Sequence, residues 1–527
     1  MGDEDLEVVV LENGLVRAVV CPALGGRLVE LLDLRAGAAP LRMPDEVGLV
    51  EGGCRGVWSP TGLSLGVGGV DRPGALAAPL HEARSFEGAA CVFFHEPLVG
   101  TGLSLTLCWL VVAGSSELTV QAKATNRTDC PEPYGPEWRL GGQWCHGATE
   151  GAAWASGPDG SLVFSGPIEC TGDGSGLRIV PGLSAPTVLP PWGTHTHTLR
   201  IAPYGSFTAV SAACREAALL VEGSRIRLQA SVPGPATVSM VGASGERFEA
   251  EAELAAGAPW EAETPEPPAS AEVRLPGGTS VRWPPVPAPP LPSHCAAATA
   301  WADAPAGSAE RTFLDGGAPG GVPSLAAPVA FRRAEAAVRQ DRFADSADHW
   351  RSAAEADPGS ELAWWGLAHT LGALGEDPSE ALANAHRSGP LEPLLRVQAF
   401  LDSPVAEGHG ASPLLATLAR HPDALLAALA HLVRLGRWAE ASRTAEEALR
   451  SAESPMVRWM LGWCLLSGSR MEAEAAAQFA RAAKEPVAPP LPWRAQEREA
   501  VLGACARFPQ LPGADAWAEA ARRTATE

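Results

Sequence analysis

Lysine is almost missing from this chain of 527 residues. Lys123 and Lys484 are its two lysines, so arginine supplies nearly all of the 40 basic side chains set against 61 acids, for a net charge of −21. A surface this acidic repels a phosphate backbone and an anionic bilayer, which excludes nonspecific nucleic-acid binding and electrostatic adhesion to membranes. Nowhere do ~18 apolar residues run uninterrupted, which excludes a transmembrane helix. The opening Met1-Gly2-Asp3-Glu4-Asp5 lacks the basic and apolar regions of an export signal. The eleven cysteines contain no Cys-x-x-Cys pair and stand singly along the chain. They read as small core hydrophobes in a reducing compartment, so a cytoplasmic location is expected, with no structural zinc site. No nicotinamide fingerprint or serine nucleophile elbow is present, residues 172–176 lack the Lys-Ser/Thr of a phosphate loop, and no cofactor is expected.

What is present divides the chain in two. Up to Trp283, short β-type runs alternate with Gly, Pro, Asn and Asp: residues 6–11, 15–21, 28–33, 90–95, 103–112, 118–125, 199–202, 206–212, 217–221, 225–232 and 236–241. Asn13-Gly14 predicts a tight hairpin between the first two, and Pro276-Gly277-Gly278 predicts a last hairpin over 271–283. Many strands with no long helix between them predict one large antiparallel β-sandwich over residues 1–283. Residues 284–328 are rich in Pro, Ala and Gly and predict a linker or docked strap, since proline ends helices and leaves sheet ladders short of donors. From Val329 to Glu527 the sequence turns to Ala, Leu, Arg and Glu with helical periodicity. Helix pairs are predicted over 331–340 with 344–356, 360–374 with 378–387, 422–435 with 438–451, and 456–466 with 471–483. The stretch 391–421 is irregular, and terminal helices follow between 493 and 524. Residues 331–527 hold 21 bases and 26 acids, so −16 of the net charge belongs to the first 330 residues.

The helical half resembles the tetratricopeptide repeat family, with closing prolines (Pro358, Pro390, Pro486) that fit a module of ~34 residues. Gly366 and Gly462 take the small position of a first helix, Ala381 and Ala441 the small position of a second, and Trp350 and Phe479 the large position one turn on. The resemblance implies an α-solenoid that scaffolds a protein or peptide partner. The β half resembles galactose mutarotase-like proteins of the aldose 1-epimerase superfamily. Glu12-Asn13-Gly14 and then Pro22-Ala23-Leu24-Gly25-Gly26-Arg27 carry this likeness, as do Thr125-Asn126-Arg127-Thr128, leading to Trp138 and Trp144, and Gly68-Gly69-Val70-Asp71-Arg72-Pro73. Within that superfamily the pattern is most similar to a bacterial domain of unknown function commonly fused to tetratricopeptide repeats. The resemblance implies a sugar-facing cleft.

Candidate site residues follow. Trp58, Trp138, Trp144, Trp154 and Trp192 can stack on the C–H face of a pyranose or fill the core. On an unbroken strand Trp138, Trp144 and His146 share one face, a cleft candidate. Arg27, freed by two glycines, can hold sugar hydroxyls or make a buried ion pair with an acid such as Asp71. His195 and His197 share one side of a strand as binding groups, an acid–base pair or half a metal site. His81-Glu82 and His95-Glu96 can supply a general acid and base in a cleft, with His95 a candidate binding group, or can be the solvated polar residues common at strand ends. Three functions are open: recognition of a neutral carbohydrate; a glycoside hydrolase or sugar epimerase, with Asp71 and His146 as participants; or a non-catalytic adaptor with a vestigial cleft.

Overall fold

The structure is a computed structural model and describes residues 6–43, 50–51, 57–58, 62–67, 76, 79–98, 101–149, 151–166, 168–172, 176–181, 188–255, 258–286, 306, 308, 311–312, 325–403, 412–487 and 493–523. Two eight-stranded antiparallel sheets face each other. The first runs Val9–Glu12, Val16–Cys21, Arg27–Asp33, Leu63–Val67, Pro136–Gly141, Gly176–Pro181, Ile168–Gly172, with Ala38–Arg42 beside Arg27–Asp33. The second runs Cys145–Thr149, Ala152–Gly157, Gly160–Ser165, Thr194–Tyr204, Leu118–Asn126, Leu103–Val112, Ala89–Pro97, Leu80–Phe86. Alternation sets the faces. Along Leu103–Val112, the side chains of Leu103, Leu105, Leu107, Trp109 and Val111 are buried in the core between the sheets. The hairpin at Asn13-Gly14 forms as expected: Gly14 is left-handed (φ +83°), and the Asn13 Oδ1 accepts from the N–H groups of Leu15 and Val16.

Strands from 212 to 283 form two further four-stranded sheets around a core of their own, containing Ile226, Leu228, Val238, Val273 and Val281. The β half, read from sequence as one large sandwich, therefore carries more than one core, with a smaller cluster around Trp154, Tyr204 and Phe207 between the large sheets and this unit. The strand expected over 206–212 is absent. Phe207 is buried in a turn there, and pairing resumes at Ala212–Cys214. Phe207 is held by packing, not by a ladder, so its apolar neighbours gave a false β signal.

Twelve helices follow among the described residues: α1 Ala326–Val338, α2 Phe343–Ala356, α3 Glu361–Leu374, α4 Ser379–Ser388, α5 Pro393–Asp402, α6 Pro413–Ala419, α7 Pro422–Arg434, α8 Trp438–Ser451, α9 Pro455–Cys464, α10 Glu472–Ala482, α11 Ala495–Arg507 and α12 Ala514–Arg523. The four expected pairs form, and the irregular stretch resolves into α5 and α6. Gly366 of α3 receives the Trp350 ring of α2, and Gly462 of α9 receives Phe479 of α10. The helix expected from 331 begins at 326, inside the stretch read as linker; 287–305 and 313–324 lie outside the described residues. Among the described residues no helix is long and apolar enough to cross a membrane.

The array packs on the outer face of the second sheet, and a polar network joins them. Lys123 donates to Glu361, to the Gly359 carbonyl and, at 2.7 Å, to the Ser388 carbonyl. Arg127 pairs with Glu392 at 2.8 Å, and Thr194 donates to Asp357. Trp192 stacks on Phe331 with centroids 4.5 Å apart, under the guanidinium of Arg434 at 3.7 Å.

Candidate functional site

Strand Thr194–Tyr204 turns His195 and His197 to the same side, toward the space between the sheets, as their spacing predicted. Their rings lie 6.2 Å apart and nearly parallel. Trp138, from the facing sheet, sets its ring edge-on to His197 at 6.0 Å and to Trp109 at 5.8 Å. Tyr134 closes the group. Its ring is 5.8 Å from His195, and its hydroxyl is 3.4 Å from His197 Nδ1. The 22–27 turn borders this ring cluster, because the Trp109 indole donates to the Gly26 carbonyl at 2.9 Å. Both glycines of that turn are left-handed, and a Cβ at Gly25 would stand 2.0 Å from the Leu76 carbonyl oxygen.

Two polar atoms at the centre have no hydrogen-bond partner among the described residues: Trp138 Nε1 and His197 Nε2. Trp138 and Tyr134 are fully buried and His197 nearly so, while His195 is half-buried. Burial, reinforced by His195, pushes the His197 imidazole down to about 3, so the ring is neutral near pH 7. Burial likewise raises the Tyr134 phenol. The cluster thus offers an indole donor beside a neutral imidazole that can donate and accept, a set complementary to a hydroxyl group.

The other sequence candidates are dispersed. Trp138, Trp144 and His146 do not share a strand face: Gly142 (φ +105°) breaks the strand, Trp138 belongs to the first sheet, and His146 is exposed on an edge strand of the second. Trp144 sits in the turn between, its indole donating to the Gly141 carbonyl at 3.0 Å. Trp154 is buried against the 212–283 unit. Arg27 is buried at the start of its strand, and burial lowers its guanidinium to about 10. His95 is not at a solvated strand end. It is buried under the array, its Nδ1 3.0 Å from the Thr106 hydroxyl, on the face opposite the ring cluster. Trp58 ends the short strand Val57–Trp58, with its side chain outside the described residues; Asp71 lies outside them altogether. Asn126 holds the turn that follows its strand: its Nδ2 donates to the carbonyls of Cys130, Leu189 and Pro190, and its Oδ1 accepts from Thr128.

Sequence reasoning missed Tyr134 and the interface roles of Lys123 and Trp192. A usable signal was rarity. The chain has two tyrosines, and both are buried; a lone lysine inside the apolar run 118–125 needs a buried acid. Among the described residues no group of three or more His, Cys, Asp or Glu side chains is placed to hold a metal ion. A concavity of about 1040 Å³ opens between the sandwich loops around Leu98 and Asp129, the helices carrying Leu426, His431 and Trp517, and Trp493 just ahead of α11.

Residues 426–492 match the tetratricopeptide repeat family model. No curated protein sequence matches the chain significantly. Among solved structures, a TPR-domain-containing protein from Parabacteroides distasonis is similar over 93% of this chain and 89% of its own, at 12% identity and a TM-score of 0.32. Galactose mutarotase-like proteins from Lactobacillus casei (9% identity, 37% of this chain, 100% of its own, TM-score 0.26) and Clostridium acetobutylicum (10%, 38%, 96%, 0.26) are similar to part of it.

Proposed function

We propose that the sandwich recognises a neutral carbohydrate at the ring cluster and that the array is a scaffold, both for the sandwich and for a protein or peptide partner in the cleft beside it. The observation that carries the reading is the unpartnered pair Trp138 Nε1 and His197 Nε2 on rings 6.0 Å apart. Buried polar atoms left without partners cost about 1–3 kcal/mol each, a penalty that a ligand hydroxyl removes. The ring faces suit the apolar side of a pyranose. Recognition is favoured over proton transfer because an imidazole held down to about 3 is a poor general acid near pH 7. Histidine–carboxylate catalysis with His146 and Asp71 is not supported by the exposed edge position of His146.

The burial of Tyr134 and Trp138 favours a second reading, an adaptor whose cleft is closed. In the recognition reading His195 is the ring that yields to let a ligand in. Titrating the full chain with neutral mono- and disaccharides by calorimetry separates the two. Recognition expects saturable binding that weakens about tenfold or more in Trp138→Phe, which keeps a ring and removes the donor. An absence of binding to every sugar leaves the adaptor.

A further inference from the structure

A different cavity, of about 520 Å³, lies wholly within the helical array, where α3, α4, α5 and the start of α8 meet. Its polar lining comes from His369 of α3, Gln398 and Asp402 of α5, and Arg437, Glu440 and Arg443 at the start of α8. The hydrogen bonds fix which atoms are acceptors. Gln398 donates through Nε2 to Asp402 at 2.8 Å, so its Oε1 is the atom 3.3 Å from His369 Nδ1. That nitrogen therefore carries the proton, and a neutral ring leaves a lone pair on Nε2. Burial keeps the imidazole neutral although Glu440 pulls the other way. His369 is nine-tenths buried, held flat on the Trp365 ring at 5.2 Å, and its Nε2 has no partner among the described residues. Glu440 takes both of its Arg437 bonds on Oε1, and its Oε2 is buried with no partner among the described residues.

Two orphaned acceptors thus share one cavity with two guanidinium groups. Arg443 lies over the Phe400 ring at 4.9 Å and spends one N–H on the Leu401 carbonyl. The lining holds two cations (Arg437, Arg443) and two anions (Asp402, Glu440), so an occupant with no net charge fits best. A divalent metal fits poorly, because the arginines repel it and among the described residues no three His, Cys, Asp or Glu side chains are placed to hold one. An ammonium group supplies three donors for the acceptors, and a guanidinium is suited to a carboxylate. The remaining lining, Ala368, Ala373, Pro378, Leu382 and Leu401, is apolar.

We propose that this cavity binds a small zwitterion, a free α-amino acid with an apolar side chain, its ammonium on His369 Nε2 and Glu440 Oε2 and its carboxylate toward Arg443. The site is separate from the ring cluster, so neither reading depends on the other.

The test is calorimetry and thermal-shift measurement on the full chain with the twenty amino acids, with methylammonium, acetate and zinc as partial probes. At least one apolar amino acid is expected to bind and to raise the melting temperature. Methylammonium and acetate should bind at least tenfold more weakly than that amino acid. Glu440→Gln and His369→Phe should each weaken it about tenfold or more, while any sugar binding stays unchanged. Glu440 is half-exposed and the amide is isosteric, so Glu440→Gln decides the matter if His369→Phe does not fold. No binding by any amino acid, undiminished binding by Glu440→Gln, methylammonium matching the amino acid, or tight binding of zinc instead would overturn the proposal.

Discussion

Lys123, on a central strand of the sandwich, is neutralised by Glu361 in the first turn of α3, 238 residues away, and both side chains are almost wholly buried. Burial works against the charged form of Glu361, but the Lys123 ammonium and the Thr125 hydroxyl outweigh it and hold the carboxyl below its usual range. The pair joins sandwich to array, and removing one member leaves the other charged and uncompensated. Lys123→Ala should destabilise the protein by about 3–5 kcal/mol, and Lys123→Met with Glu361→Leu should recover most of that loss. Denaturant unfolding of the single and double variants gives the coupling directly. Losses that simply add in the double variant would show the charges to be independent.

Trp192 makes the apolar part of the same joint, between Phe331 and Arg434. Trp192→Ala should cost about 3–5 kcal/mol, most of it from the contact between the halves. The expected signature is one calorimetric transition splitting into two, because sandwich and array keep their own cores. A single, merely shifted transition would mean that the joint does not hold the halves together.

The small positions of the repeats are steric. A Cβ added at Gly366 would stand 2.5 Å from the Trp350 ring, and one at Gly462 would stand 2.4 Å from Phe479. Gly→Ala in an exposed helix gains about 1 kcal/mol, whereas overpacking costs about 1–3 kcal/mol. Both substitutions should therefore destabilise the array. Gly372→Ala, on the same helix with nothing within 4 Å of the added carbon, should stabilise it. Melting temperatures of the three variants check the sign.

Acid sensitivity is built into the buried histidines. Burial lowers His95 to about 4 and His197 to about 3, both below the ~6.5 of an unfolded chain. Between those values the unfolded chain binds more protons, so stability rises with pH. The histidine contribution is complete above about pH 7 and is lost as pH falls toward 4, by about 1.4 kcal/mol per pH unit for each group. Stability measured by denaturant at pH 7, 6 and 5 should fall less steeply in His95→Gln and in His197→Gln than in the native chain. Parallel slopes would contradict the burial argument.

Local patterns were legible because their causes are local. The Asn13-Gly14 hairpin, the alternation of 103–112, the helix pairs and the Gly366–Trp350 fit all depend on neighbours in one strand or in adjacent helices. The pairing of His195 with His197 was legible for the same reason, since period two places them on one face. The line of Trp138, Trp144 and His146 failed because parity holds only while a strand is unbroken, and Gly142 ends it.

By itself the sequence determined the class of each half and, along unbroken strands and helices, which face is buried. Only the tertiary structure decided that Trp138 and Tyr134 meet His197, 63 residues beyond Tyr134, that His95 lies under the array, and that Lys123 finds its acid in another unit. The physical reason is that periodicity encodes which face of an element is buried. What that face meets depends on which strands and helices pack together across the chain.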